Sequence, residues 1–461
     1  MASFSFSING TLSFYRQGEF DHQLLIHGHR RRLESCIKIL EPQTLIHSYR
    51  NRLKFLYLET SIRGSGYKMS HRTRVSGVKA SLIMDPDDYE VGRFIGSYGY
   101  MNVTSYSPPK FGGLSSDGKL EDPDLEFSQD SIERLRLQDV GEGPVKIRLY
   151  DGRITRGPKK GTRIIFKVYP GQRIGGQEAD LMAANELDAH AFLQDASEDI
   201  CQNIQILLGG FETKTGEQWL AFRNDGNFSA ADYGNITSEA LSRNRSQGEA
   251  KFWNPFDVDI TIKRRRIFVI KILRGAINGL SYMHDHDRLH QSIGPASIVL
   301  NTIVEKDVAY LVPRIRDLAF SVDIRYSSLE SDPRPLSEAL WRRALAAGAF
   351  SSFEKRAFGI ADDIYEAGLL VAYLAFVPFC EAGTIDGPSL QRLFEGTFQL
   401  NLEAAREYCQ ADDRMSEAVK FLDLGGGAGW ELLQAMLNPD YRLRPMAKSV
   451  LQHRFMTGTL L

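Results

Sequence analysis

LHQSIGPASIVLN, residues 289–301, is the stretch on which the reading of this chain turns. A histidine leads a short turn built on Gly-Pro, and an apolar run rich in β-branched residues follows. Just upstream, RIFVIKILRGAINGLSYMHDH (266–286) places Val269, Leu273, Ile277, Leu280 and Met283 at spacings of three and four. That spacing predicts one apolar helix face. The stretch is therefore a polar loop between a long helix and a short strand, and the question is what chemistry its residues carry.

Working outward, the chain before the helix is β-rich. RLRLQDV, VKIRLYDG and RIIFKVYP are short runs separated by turns that contain glycine. ADLMAANELDAHAFLQ reads as a helix, and IQILLGGFE and EQWLAFR as two more strands. Residues 132–223 thus predict a small, mostly antiparallel sheet with one inserted helix. After residue 230 the pattern is mainly helical: ADDIYEAGLLVAYLAF, WELLQAMLN and MAKSVLQHRFM are further helices. The fold class expected is α+β, a small β-rich lobe followed by a larger helical lobe, with a cleft between them. No internal repeat is visible.

Taken in order, these segments resemble the eukaryotic-type protein kinases over residues 131–457, about two-thirds of the chain. RIIFKVYP matches the family's V-A-I-K strand, which implies that Lys167 pairs with ATP phosphates. DVGEGPVKIRLYDG sits where the Gly-rich loop is expected, with Gly141 and Gly143 at the first two glycines of G-x-G-x-x-G and Lys146 at the third. Glu186, in MAANELDAHAFL, is the implied ion-pair partner of Lys167, with Glu178 as second candidate. RIRDLAFSVD matches D-F-G as Asp-Leu-Ala, so Asp317 is the implied metal ligand. Asp363, in Asp363-Ile-Tyr-Glu-Ala-Gly368, matches the aspartate that holds the catalytic loop's backbone. LNPDYRLRPMAKSVLQHRFM resembles the family's closing segment; its Arg444 implies a glutamate partner, for which Glu354 is a candidate.

Against H-R-D-L-x-x-x-N, the opening loop keeps His290 but has Gln291 for arginine, Ser292 for the catalytic aspartate and Ser297 for the metal-binding asparagine. A serine cannot accept a substrate proton at neutral pH, and a hydroxyl is a poorer Mg²⁺ ligand than the carboxamide it replaces. The resemblance therefore implies a degenerate, pseudokinase-like member of a plant plastid type. It would bind, scaffold or regulate an unidentified protein partner, with ATP and Mg²⁺ as the cofactors the family brings and no catalytic set intact. The alternative is an active atypical Ser/Thr kinase with a displaced acid; Asp285 and Asp287 lie just before His290.

Composition bounds the rest. Net charge is −2, yet residues 1–80 carry 13 Lys/Arg and 5 Asp/Glu, which leaves the remainder of the chain acidic. An acidic body argues against general nucleic-acid binding. Residues 1–80 begin MASFSFSING, hold no acid before Glu19 and are rich in Ser, Arg and His, which predicts a plastid transit peptide and a chloroplast location, stromal or thylakoid-associated. Residues 81–130, rich in Gly, Ser, Pro and Tyr, read as a linker or an extended segment packed on the body. Cysteines 36, 201, 380 and 409 form no CxxC pair. The longest strongly apolar run, AGLLVAYLAFVPF (367–379), is too short to span a bilayer and reads as a buried helix.

Overall fold

A computed structural model of the chain describes residues 82–104, 133–139, 145–196, 201–246, 255–330 and 335–458. The expected division into a β-rich lobe and a helical lobe is what it shows. The small lobe is a six-stranded sheet: β1 (Tyr89–Thr104), β2 (Glu133–Asp139), β3 (Ile147–Ile154), β4 (Arg163–Tyr169), β5 (Leu207–Glu212) and β6 (Gln218–Arg223), in the order β2-β1-β3-β4-β6-β5. Neighbouring strands are antiparallel throughout. Between β4 and β5 lies helix α1 (Gln172–Asp195).

The period-two geometry of β4 decides where its lysine goes. Successive side chains of a strand point to opposite faces. Ile164, Phe166 and Val168 therefore pack together, with Tyr89, Leu208 and Ala221, in the small lobe's apolar cluster. Ile165 and Lys167 face the other way, into the cleft. On α1, Met182, Glu186 and His190 recur every fourth residue and are all buried. That helical face carries a carboxylate to the strand face that carries the lysine.

Part of the segment read as an 81–130 linker or extended segment lies inside the sheet. Residues 89–104 are extended, but as β1 they pair with β3 over Tyr89–Tyr98 and with β2 over Gly99–Thr104. Ile83 also bridges Gly209 of β5. The approach is so close that a Cβ at Gly209 would lie 1.9 Å from the Ile83 carbonyl oxygen, so only glycine fits. The described small lobe thus includes residues from 82 onward: pairing with β3 and then with β2 along its length, rather than an apolar alternation, makes this stretch a strand. Residues 1–80, the expected transit peptide, lie outside the described residues.

The large lobe includes α2 (Ala230–Ser246), α3 (Pro255–Asp285), α4 (Ser352–Phe376), α5 (Leu424–Met436) and α6 (Ala447–Gln452), among other helices and turns. Val269, Leu273, Ile277, Leu280 and Met283 of α3 are fully buried in the main core. Helix α4 opens on a capping box, in which Ser351 and Glu354 exchange hydrogen bonds. From Phe358 to Phe376 it is buried almost without a break, as the apolar run at 367–379 predicts. Among the described residues no helix is long and apolar enough to cross a membrane.

Candidate functional site: a closed ion cluster at the mouth of the loop

The site begins with Lys167. Its Nζ donates to both carboxylate oxygens of Glu186, each at 2.7 Å, and to Asp317 Oδ1 at 2.8 Å. All three side chains are buried, none more than 4% exposed. Burial works against the lysine's charge, but Asp317 and then Glu186 outweigh it and hold the ammonium pKa above its ordinary value. Burial likewise pushes the Asp317 carboxyl up. Lys167 and Arg316 prevail and bring it down to about 2. Tyr169 Oη also donates to Glu186. His190 lies 3.9 Å from Glu186, and burial, with the Lys167 charge, pushes its imidazole down to about 3, so it is neutral. Asn185 of α1 donates to the carbonyls of Ala319 and Ser321, both at 2.8 Å, tying the helix to the Asp317 segment.

Below this cluster, Asp363 of α4 holds the loop of the opening motif. Its carboxylate accepts the backbone N–H of His290 at 2.8 Å and of Gln291 at 2.9 Å, and the side-chain amide of Gln291 at 3.0 Å. His284, at the end of α3, lies 2.9 Å from its other side. Gln291 and Asp317 both sit in the left-handed region, with φ of 59° and 68°. Such backbone costs non-glycine residues about 1 kcal/mol or more and persists only where neighbours fix it. Asp363 does this for Gln291.

The chain has a protein-kinase-like fold. Lys167 on a small-lobe strand, Glu186 on the single small-lobe helix, Asp317 after the loop and Asp363 beneath it stand in the relation that the sequence motifs imply. A scan against protein-family models and a search of curated proteins return no match. Among solved structures, a Stt7 homolog from Micromonas algae, soaked with ATP, is similar at 16% identity and a TM-score of 0.44, over 85% of this chain and 96% of that one. The twitchin kinase region from C. elegans is similar at 12% identity and a TM-score of 0.40, over 67% of this chain. This chain spans 43% of that region.

Within the kinase-like frame the loop's own residues are turned inward. Ser292 is 3% exposed; its hydroxyl lies 3.2 Å from the Asp317 carbonyl and 3.4 Å from His290 Nδ1. Ser297 closes on its own turn: its hydroxyl donates to the Gly294 carbonyl at 2.8 Å and accepts the Gly294 N–H at 2.9 Å. The two acids weighed as displaced bases are engaged elsewhere, Asp285 with Lys448 at 2.9 Å and Asp287 with Arg356 at 2.8 Å. Glu354 spends its carboxylate on the cap of α4, while Arg444 donates to the carbonyls of Asn438 and Ala361.

Gly141 and Gly143 lie outside the described residues. The strand antiparallel to β3 is β1, and β1 itself carries Phe94-Ile95-Gly96-Ser97-Tyr98-Gly99. That run keeps the second and third glycines of G-x-G-x-x-G and has Phe94 at the first. Sequence reasoning missed it, and with it Tyr98, whose hydroxyl donates to Asp317 Oδ1 at 2.8 Å. The usable signal was the Gly-x-x-Gly spacing.

The cleft under β1 has a volume of about 720 Å³. Ile95, Leu149, Ile165 and Val299 give it apolar walls, and Lys167 and Asp317 close its inner end. Mg²⁺ demands several oxygen ligands in near-octahedral geometry. Asp317 Oδ1 already takes Lys167 and Tyr98, Oδ2 faces Arg316 at 3.3 Å, and the Ser297 hydroxyl is closed on Gly294. Among the described residues no three His, Cys, Asp or Glu side chains group to hold a metal. Asp317 Oδ2 is buried without a hydrogen-bond partner among the described residues, so it is the oxygen of this pair left for a cation, and Arg316 stands 3.3 Å from it.

Because the folded pKa of Asp317 is below its ordinary value of 3.8, its contribution to stability is complete above that value and is lost as pH falls towards 2. Urea unfolding of wild type and Asp317→Asn across this window checks it. Wild type should lose about 2 kcal/mol more than the variant between pH 5 and pH 2. Parallel pH profiles would contradict the ion cluster.

Proposed function

We propose that this protein is a pseudokinase: a kinase-like module that binds a nucleotide and presents a surface to a protein partner, without transferring phosphate. The observation that carries this reading is the state of the loop. Ser292 stands where the family's proton acceptor would be and is bonded to the Asp317 carbonyl and His290. General-base catalysis is worth roughly 10²–10⁴ in rate, and the second metal ligand is absent as well.

A nucleotide is favoured over an empty scaffold because the cleft keeps the parts that hold one. Apolar residues on both walls suit a flat base, and Lys167 faces the inner end, where phosphates would lie. The basic, acid-poor first 80 residues support residence in a plastid. A reporter fused to residues 1–85 should enter chloroplasts; one that stays cytosolic would overturn this part of the reading.

Two assays test the function itself. ATP at about 100 times its Kd should stabilise the protein by roughly 2.7 kcal/mol. Labelled γ-phosphate transfer to generic protein acceptors should not exceed that of Lys167→Ala. Transfer that disappears in Lys167→Ala or Asp317→Ala would show a working kinase instead.

A further inference from the structure

Arg316 is the residue that the kinase comparison leaves without a role. It lines the cleft beside Lys167 and Asp317. Its Nε lies 3.3 Å from Asp317 Oδ2, and its Nε and one Nη donate to the Ala296 carbonyl at 3.1 and 2.8 Å. The guanidinium therefore stands between the Asp317 carboxylate and the turn that ends in Ser297. In a working kinase those two positions carry the metal ligands. Here the Asp317 carboxylate is hydrogen-bonded on Oδ1 alone, Ser297 is closed on Gly294, and the Arg316 guanidinium is the cation that faces the unbonded Asp317 Oδ2.

We infer that the cleft takes a nucleoside polyphosphate without a divalent cation, with Arg316 in the metal's place. The inference rests on the nucleotide-binding reading above and says how that binding is achieved. The chemistry is consistent. A guanidinium presents up to five N–H donors in a planar fork that suits phosphate oxygens, and it cannot lose its charge at neutral pH. Lys167 and Arg316 together supply two positive charges, balanced by Glu186 and Asp317 when no ligand is bound. A polyphosphate competes with Asp317 for both cations, which is the competition that Mg²⁺ would otherwise settle. Three more arginines, Arg93, Arg153 and Arg163, line the cleft against the acids Glu90 and Asp151, so its field still favours an anion.

The experiment is isothermal titration of the full chain with ATP, in excess EDTA and in excess Mg²⁺. Expected Kd values agree within about threefold. Arg316→Gln should weaken binding in EDTA by about tenfold or more, the loss of one charge-assisted pair, and Arg316→Lys should recover part of it. Asp317→Asn releases Lys167 and Arg316 and should tighten EDTA binding. Should the variants not fold, wild type in EDTA against wild type in Mg²⁺ still decides whether a cation is needed. Binding that needs Mg²⁺ would overturn this inference and leave the nucleotide-binding reading standing. EDTA binding that Arg316→Gln leaves unchanged would overturn the role of Arg316. Absence of binding under both conditions would overturn both readings.

Discussion

One buried ammonium holds the two lobes in register. Lys167 reaches from strand β4 to Glu186 on α1 and to Asp317 on the far side of the cleft. Taking three charges out of water is expensive, and a buried ion pair repays that only with close geometry and further hydrogen bonds. Both conditions are met: Tyr169 adds to Glu186, Tyr98 adds to Asp317, and every contact to Nζ is within 2.8 Å. Removing any one member strands a charge in the interior. The spacing of β4, the phase of α1 and the left-handed turn at Asp317 are all fitted to this arrangement.

The same closure accounts for the site's chemistry. Asp317 accepts from Lys167 and Tyr98 on Oδ1, while its buried Oδ2 has no hydrogen-bond partner among the described residues and faces the Arg316 guanidinium. The loop beneath it keeps the backbone anchor, Asp363, and uses its two serines to stitch itself together. The kinase-like frame is present, and Lys167 and Arg316 face the acids Glu186 and Asp317. What remains to attract a ligand is a cleft with apolar walls and arginines at its edge.

Much of this was legible in the sequence, for identifiable reasons. Lys167 lies in a short β-rich run bounded by turns, Glu186 lies on a helix with a clear buried face, and Asp363 lies within a helix that is buried almost throughout its second half. Gly141 and Gly143 lie outside the described residues, while the Gly-x-x-Gly run of β1, which pairs with β3, stood out by no strand pattern. Residues 89–104 carry glycines and tyrosines in place of an apolar alternation, and pairing with β3 and then β2 along their length makes them a strand. Arg316 gave no signal, since its position depends on the carbonyl of Ala296, which only the fold brings near. At 425–427 three glycines adopt left-handed backbone and kink the first turn of α5 ahead of Trp430.

The central claim is that Lys167 and Asp317 act as one unit across the cleft. A double-mutant cycle measures it directly: urea unfolding of wild type, Lys167→Met, Asp317→Asn and the double variant at neutral pH. If the two residues share one buried interaction, the coupling energy is about 2 kcal/mol, and the double variant is much less damaged than the sum of the singles. Additive effects, within about 0.5 kcal/mol, would mean that the two residues stabilise the protein independently and that the cluster does not join the lobes.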